Sequence, residues 1–372
     1  MLIAGEASGD LLAAELVAAL RGPLPDAQFF GAGGAKMSAA GVDLAFDMTQ
    51  HSVIGISDVL KKYFEFRRLF QQLIALAIER KPDAIIGIDF GGFNLRFGQA
   101  IKKYVRENPF SNWDPKIVQF VSPQVWASRP GRAAKLARDY DLLLSIFPFE
   151  KAWYAQRVPQ LHVEFVGHPM VERMQKSELR SQNKNPVPTV LLLPGSRKSE
   201  LQRHLPVMLE ALKVIQEKLP ATKAKMVLPN PALMTLAKSL GANLEIQIGE
   251  LPWALAESDV AIASTGTVTM ECAFFGVPTV TLYKTSWLTY QIAKRIVTVK
   301  SLTMPNLLAG ETVYPEFIQN EATPENLSSA ALALLQDEEH RAKIKAQLTQ
   351  IIASLGEPGA AGRAATAVFN LF

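Results

Sequence analysis

Short apolar runs alternate with longer amphipathic stretches along the whole chain. Runs at 1–4, 28–30, 84–88, 117–121, 142–146 and 163–166 have the length and continuous hydrophobicity of strands buried on both faces. Between them, residues 11–20, 66–78 and 95–105 carry helical periodicity. A polar, proline-bounded segment at 175–188 interrupts the pattern, which then restarts with strand-like runs at 189–193, 225–228, 244–248, 260–263 and 278–282. Two helices over 324–355 and an apolar amphipathic tail over 360–372 close the chain. Such alternation predicts α/β architecture with parallel, doubly wound sheets. A chain of 372 residues is too long for one core. The expected division is a Rossmann-like domain over 1–170, a second over 171–345, and a helical tail over 346–372 that needs a surface to bury against.

Composition narrows this picture only a little. The chain is 48% hydrophobic and 20% charged, as ordinary globular domains are. A net charge of +4 suits phosphate-bearing ligands or an anionic membrane surface and is too small to argue for nucleic acid. The single cysteine, Cys272, excludes an intrachain disulfide and fits a reducing compartment, most simply cytoplasm. There is no run of eighteen apolar residues. Because the chain opens directly in a strand, a few residues are expected to precede Met1 in the natural protein.

The most informative stretch is 259–278. An apolar strand runs into Ser264, Thr265, Gly266 and Thr267, and a helix then starts. A strand, a hydroxyl-rich turn and a helix start bring unpaired N–H groups and a positive dipole end to one point, which suits a phosphate. Glu271, one turn on, could accept hydrogen bonds from a ribose diol. The plain alternative is a β–α turn with a threonine cap. Arg197 in PGSRKSEL stands beside another helix start and could clamp a diphosphate, or simply pair with Glu200. Asp89 ends the strand at 84–88, where open α/β sheets bind ligands; the alternative is a cap on the next helix. Gly5 and Gly9 permit a tight turn after the first strand, and Ser8 or Asp10 can cap the helix that follows. The glycines at 31–34 are read as a turn after the second strand, open to a sugar or phosphate. Pro123, Trp126 and Arg129 crowd a loop at the same sheet edge, and Asn306 is the polar group best placed in the loop at 301–310. The segment 52–80 mixes Ile56, Val59, Leu60, Tyr63 and Phe64 with Lys61, Lys62, Arg67 and Arg68. That mixture suits a surface lying on anionic lipid, or a packed helix with a solvated basic face.

Taken together, AGEASGD, SVIGISDVL, PDAIIGIDFGGFN, VSPQVWASR, FPFEKAWY, FVGHPM, LLPGSRKSE, ASTGTVTMECAFFGVP and SLTMPNLLAG resemble the lipid-A-disaccharide synthase family. They occur in the family's order and span nearly the whole chain. The resemblance implies a GT-B fold, two Rossmann-like domains facing across a cleft. It implies inverting transfer of diacylglucosamine from UDP-diacylglucosamine to diacylglucosamine 1-phosphate (lipid X), without metal or other cofactor. It also implies peripheral attachment to the cytoplasmic face of the inner membrane. Some members form dimers by exchanging C-terminal segments. On this reading Asp89 is the base, while Arg197, Ser264, Thr265, Gly266, Thr267, Glu271 and Asn306 hold the nucleotide or its sugar. Ser8, Gly9, Asp10, Gly33, Ser122 and Trp126 face the transferred sugar or the acceptor. Ile56, Val59, Leu60, Tyr63 and Phe64 meet acyl chains or bilayer.

Two departures stand out. Many members carry a second acidic residue three positions after the base, where this chain has Gly92. The membrane stretch has Ser57 and Arg67 at positions that are apolar in some members. Two other readings share the nucleotide cradle: another GT-B enzyme such as a UDP-GlcNAc 2-epimerase, and a non-catalytic nucleotide-sugar-binding protein. The first does not need an exposed apolar patch, and the second does not need Asp89.

Overall fold

A computed structural model describes the backbone of residues 1–48, 59–176 and 187–372, and the side chains of all of these except 59–65 and 174–176. Ile56 therefore lies outside the described residues. Val59, Leu60, Tyr63 and Phe64 fall on the helix Val59–Arg80, with their side chains outside the description.

The described chain forms two compact units, Met1–Glu172 with Leu355–Phe372, and Arg173–Ser354. The first holds seven strands: β1 (Leu2–Ala4), β2 (Phe30–Gly33), β3 (Asp43–Asp47), β4 (Ala84–Ile88), β5 (Lys116–Phe120), β6 (Leu142–Ser145) and β7 (Val163–Phe165). They pair in the order β3-β2-β1-β4-β5-β6-β7, all parallel. The second holds six: β8 (Thr189–Leu193), β9 (Lys223–Leu228), β10 (Glu245–Ile248), β11 (Val260–Ser264), β12 (Thr279–Tyr283) and β13 (Glu316–Ile318). Their order is β10-β9-β8-β11-β12-β13, again all parallel. The central strands β1, β6, β8 and β11 are buried at every position because helices cover both faces. That double burial is why their sequences read as unbroken apolar runs.

Three expectations change. Strands β3 and β13 add to those read from the pattern. Asp43–Asp47 alternates exposed and half-buried residues at the sheet edge, and Glu316–Ile318 is only half-buried, so neither has an apolar run. The second strand is Phe30–Gly33, so the glycines at 31–33 lie in the sheet instead of forming the turn after it. Gly31 has φ 152°, and a Cβ there would lie 1.9 Å from the Leu2 carbonyl oxygen. Close strand approach, not ligand access, accounts for that glycine. Short helices at Val125–Ser128 and Met304–Ala309 occupy stretches read as loops.

The chain's end belongs to the first unit. Helix Glu338–Ser354 stays with the second, where Ile344, Leu348 and Ile351 are buried in its core. Helix Ala360–Phe369 packs on helix Ala7–Leu20, burying Ala360, Ala364, Ala365 and Val368. Arg363 Nε donates to the Val166 carbonyl at 2.8 Å, tying the tail to the end of β7. Among the described residues no helix is long and apolar enough to cross a membrane.

Gly31→Ala is expected to destabilise the first unit by ~2 kcal/mol or more, the scale of forced backbone strain. A wild-type urea midpoint for this variant would show that β1 and β2 are not packed as described.

Candidate functional site

In each sheet the strand order reverses once, and the loops leaving the two strands at that point open a crevice where ligands bind in this class of fold. In the first unit the reversal lies between β1 and β4, whose ends are level: Ala4 pairs with Ile88. Asp89 follows directly. Asp89 and Phe90 have φ of 50° and 45°, two successive left-handed residues without glycine. Each costs roughly 1–2 kcal/mol, so the surroundings must hold the turn. Asp89 N–H donates to Phe120 O at 2.8 Å, while its own carbonyl accepts from Asn94 Nδ2 and Gln119 Nε2, both at 2.9 Å. Two glycines make room. A Cβ on Gly87 would lie 2.8 Å from Asn94 Cγ, and one on Gly5 would lie 2.5 Å from the Phe90 ring. The turn is thus fixed through backbone, leaving the Asp89 side chain half-buried. Burial raises its pKa above the usual aspartate range, and a hydrogen bond from the Phe90 backbone offsets this in part. A more basic carboxylate at a strand end is suited to taking a proton.

The first turn of helix Ala7–Leu20 meets this point: the helix starts at Ala7 with Glu6 before it, so Ser8, Gly9 and Asp10 lie inside it and neither Ser8 nor Asp10 caps it, contrary to the expectation. A Cβ on Gly9 would stand 3.8 Å from Asp89 Cβ, and Ser8 beside it is exposed. Asp10 is engaged within the first unit. It is 4% exposed, and its two oxygens accept the N–H groups of Gly34, Lys36 and Met37 at 2.8–3.0 Å. It therefore caps the helix Ala35–Ala39. Gly33 is buried against Met37, whose Sδ would be 2.1 Å from an added Cβ. Gly92 is exposed, and a Cβ there would meet nothing within 4 Å, so packing does not require glycine at that position.

Ser122 and Trp126 also turn inward. The Trp126 indole N–H donates to Glu150 Oε1 at 3.0 Å, and the Ser122 and Tyr154 hydroxyls are 3.1 Å apart. Glu150 is fully buried in the first turn of helix Pro148–Arg157, and its Oε2 accepts the Phe147 N–H at 3.2 Å. Burial pushes its carboxyl up to about 7 against these hydrogen bonds. This network braces the loop after β5, where Pro123 packs against Gly91 at the start of helix Gly91–Glu107. Ser122 and Trp126 are thus both hydrogen-bonded within the first unit.

In the second unit the reversal lies between β8 and β11. After β8, Gly195 has φ 117°, and the N–H groups of Ser196 and Arg197 donate to Glu200 Oε2 at 3.0 and 3.2 Å. The Arg197 guanidinium is 77% exposed and only 3.5 Å from Glu200 Oε1, a weak surface contact that an anion could displace. After β11, Ser264 is buried, Thr265 half-buried, and Gly266 and Thr267 exposed ahead of helix Val268–Phe274. Gly266 has φ 143°, and its carbonyl accepts the Thr269 hydroxyl at 2.7 Å. Glu271 is half-buried, and burial raises its carboxyl to about 7. Cys272 is fully buried, which raises its thiol to about 12 and leaves it inert.

Asn306 is buried and engaged within the second unit. It is 2% exposed; its Nδ2 donates to Tyr314 O and Glu316 Oε1, and its Oδ1 accepts from Val313 and Tyr314 N–H, all at 2.8–2.9 Å. All four hydrogen-bonding positions of the amide are used inside the unit. Sequence reasoning missed His204. Buried on helix Lys198–Lys218, it bridges Pro194 O through Nδ1 (2.8 Å) and the Lys284 N–H through Nε2 (3.0 Å). It thereby ties the PGSR turn to the end of β12. Burial lowers its pKa, consistent with a neutral ring that donates at one nitrogen and accepts at the other. Asn94, Gln119, Glu150 and Tyr154 were missed likewise; Gln119, Glu150 and Tyr154 have partners distant in sequence, whereas Asn94 reaches the Asp89 carbonyl only five residues back. Only Glu150 left a local signal, three residues after Phe147 at a helix start.

Comparison with known proteins bears on the whole chain. The family model described as Lipid-A-disaccharide synthetase matches residues 1–369. The chain is 38% identical over 384 residues to a lipid-A-disaccharide synthase of Trichlorobacter lovleyi, covering 100% of this chain and 97% of that one. It is 35% identical over 382 residues to one from Syntrophus aciditrophicus, with the same coverage. Among solved structures it is similar to S. aureus MnaA in complex with UDP: TM-score 0.67, 13% identity, 100% of this chain and 97% of that chain. At that identity the likeness speaks to fold alone.

Glu150 makes stability depend on pH. Unfolded glutamate titrates near ~4.3, whereas folded Glu150 holds its proton up to about 7. The folded state binds more protons in that window, so stability falls as pH rises through it. Glu150→Gln should remove this part of the slope, on the order of 2 kcal/mol between pH 5 and pH 8. Urea midpoints at the two pH values test it, and an unchanged difference between them would contradict the buried-acid assignment.

Proposed function

The chain belongs to the lipid-A-disaccharide synthase family, and from that premise we propose how its two switch points divide the reaction. The chain is a glycosyltransferase with a GT-B-type fold, and its substrates are a nucleotide sugar and lipid X. The transferred group is 2,3-diacylglucosamine. The acceptor hydroxyl loses its proton to Asp89 as its oxygen bonds to C1 of the donor sugar. The bond from C1 to the diphosphate breaks with inversion, and UDP leaves with the electron pair. The products are UDP and the β-linked, tetra-acylated disaccharide 1-phosphate.

The observation that carries these roles is the half-buried Asp89 at the β1–β4 reversal, with its pKa raised and its backbone pinned on both sides. Raised basicity matters only if the carboxylate is aimed, and the pinned turn aims it. Charge developing on the leaving diphosphate is met by fixed dipoles and a cation. We assign these to the turn at Ser264, Thr265, Gly266 and Thr267 and to Arg197, with Glu271 on the ribose. Asn306, Asp10, Gly33, Ser122 and Trp126 then serve by holding loops in place. Ser8, exposed beside the buried Gly9, is assigned to the sugar near the base. Gly92 leaves Asp89 without a carboxylate partner three residues on.

The proposal also includes peripheral contact with the cytoplasmic face of a membrane through the segment that carries Ile56, Val59, Leu60, Tyr63 and Phe64. The second unit adds support for lipid contact. Helix Trp287–Ile296 buries no residue and exposes Trp287 (72%), Leu288 (64%) and Ile292 (51%) beside the exposed Lys294, Arg295 and Lys300. A homodimer that exchanges the C-terminal tail would remake, between copies, the contact of helix Ala360–Phe369 with helix Ala7–Leu20.

Asp89→Ala is expected to lower turnover ~100-fold or more, the scale of lost general-base catalysis, with UDP affinity unchanged. The acid limb of the wild-type kcat/KM profile should lie above the usual aspartate range, because the base must be deprotonated to act. Near-normal turnover in the variant would remove Asp89 from the mechanism. Arg197→Ala should weaken UDP binding ~10-fold or more, as loss of a charge-assisted hydrogen bond does. Calorimetry giving the wild-type affinity would refute the clamp.

A further inference from the structure

Three arginines follow the two strands that end at the candidate base's sheet edge, and among the described residues none has an acidic partner. Arg96 lies on helix Gly91–Glu107, which begins directly after the Asp89–Phe90 turn. Arg129 and Arg132 lie on the loop leaving β5, the strand next to β4. Two contacts bring that loop alongside the helix. Pro123 sits 3.0 Å from where a Gly91 Cβ would be, and helix Ala133–Asp139, starting right after Arg132, packs on helix Gly91–Glu107. Backbone bonds from Arg129 N–H to Val125 O (2.8 Å) and from Arg132 N–H to Arg129 O (2.9 Å) set both residues in one tight coil.

Electrostatics sets the cluster apart. Burial and the charges of Arg129 and Arg96 hold Arg132 below the usual arginine range. At the far end of the same helix pair the pattern is the ordinary one, with Asp139 meeting both Arg106 and Arg138. Among the described residues, none of Arg96, Arg129 and Arg132 has a side-chain hydrogen bond or ion pair. Arg96 and Arg129 are exposed, and Arg132 is half-buried. Like charges held together by the backbone repel, and an anion bound among them relieves that repulsion. Guanidinium groups match phosphate oxygens in geometry as well as charge.

We propose that Arg96, Arg129 and Arg132 form the site that takes the phosphate monoester of the acceptor. The inference rests on the functional reading above and names the part of the acceptor that the first unit recognises. The donor's diphosphate has its own cation and hydroxyl turn on the second unit. The acceptor must meet Asp89, and these arginines leave the same edge of the same sheet. Holding the phosphate would retain the acceptor at this sheet edge, a binding contribution equal in ground and transition states.

The test is steady-state kinetics in detergent micelles with UDP-diacylglucosamine as donor and, as acceptor, either lipid X or the same sugar lacking its phosphate. Arg132→Ala should raise the KM for lipid X ~10-fold or more, with kcat near wild type and UDP affinity by calorimetry unchanged. Arg132→Lys should recover part of the loss. Wild type should show the same rise in KM for the dephosphorylated acceptor, and Arg132→Ala should no longer distinguish the two. An unchanged KM for lipid X, an equal loss of UDP affinity, or full preference for the phosphorylated acceptor in the variant would each overturn the site. If Arg132→Ala lowers the thermal midpoint, the exposed Arg96→Gln and Arg129→Gln carry the same comparison. If wild type joins the donor to neither acceptor, the functional reading fails and this site with it. If disaccharide forms and its rate ignores the arginines, only the site fails.

Discussion

The catalytic role proposed for the first unit depends on one strained turn. Asp89 and Phe90 both sit in left-handed backbone, which non-glycine residues avoid. The chain tolerates this because two buried amides, Asn94 and Gln119, donate to the Asp89 carbonyl, and Gly5 and Gly87 leave space for a ring and an amide. A carboxylate on an ordinary turn would be free to rotate into water. Here the main chain cannot relax, so the side chain stays at the sheet edge, half-buried and more basic than usual. Backbone strain, amide anchoring and a raised pKa are three aspects of one arrangement.

The second unit solves a related problem with different groups. Its sheet has the same reversal of strand order, but the loops at that point carry hydroxyls, bare backbone and a cation. His204 does there what Asn94 and Gln119 do in the first unit, joining a loop to a neighbouring strand end from beneath. On the proposed reading one unit supplies a base and the other anion-binding groups. The same fold carries both because function resides in the loops at the carboxyl ends of its strands. Glu271 and Glu150, both raised to about 7 by burial, show how differently such a shift can be used. Glu150 is hydrogen-bonded inside a brace, whereas Glu271 follows an exposed turn.

Much of the fold was legible because parallel strands buried on both faces read as apolar runs, and helices between them keep their period. What escaped was the edge. Strands Asp43–Asp47 and Glu316–Ile318 are short and partly exposed, so no apolar run marks them. Position along the chain also put Asp89 and the Ser264–Thr267 turn at strand ends, where the structure has them. It could not disclose whether a polar side chain faces outward or is already engaged. Asp10, Ser122, Trp126 and Asn306 are examples of polar side chains already engaged within their units. Each finds its partner far along the chain, or on a neighbouring loop, and only three-dimensional packing reveals that. The same limit hid Gln119 and His204.

The central claim is that this chain joins two diacylglucosamine units at an anchored aspartate. Mass spectrometry of the products from UDP-diacylglucosamine and lipid X examines it most directly. The account predicts one tetra-acylated disaccharide monophosphate, formed in step with an equal amount of UDP. Recovery of both substrates unchanged, or release of UDP with free diacylglucosamine and no disaccharide, would contradict it.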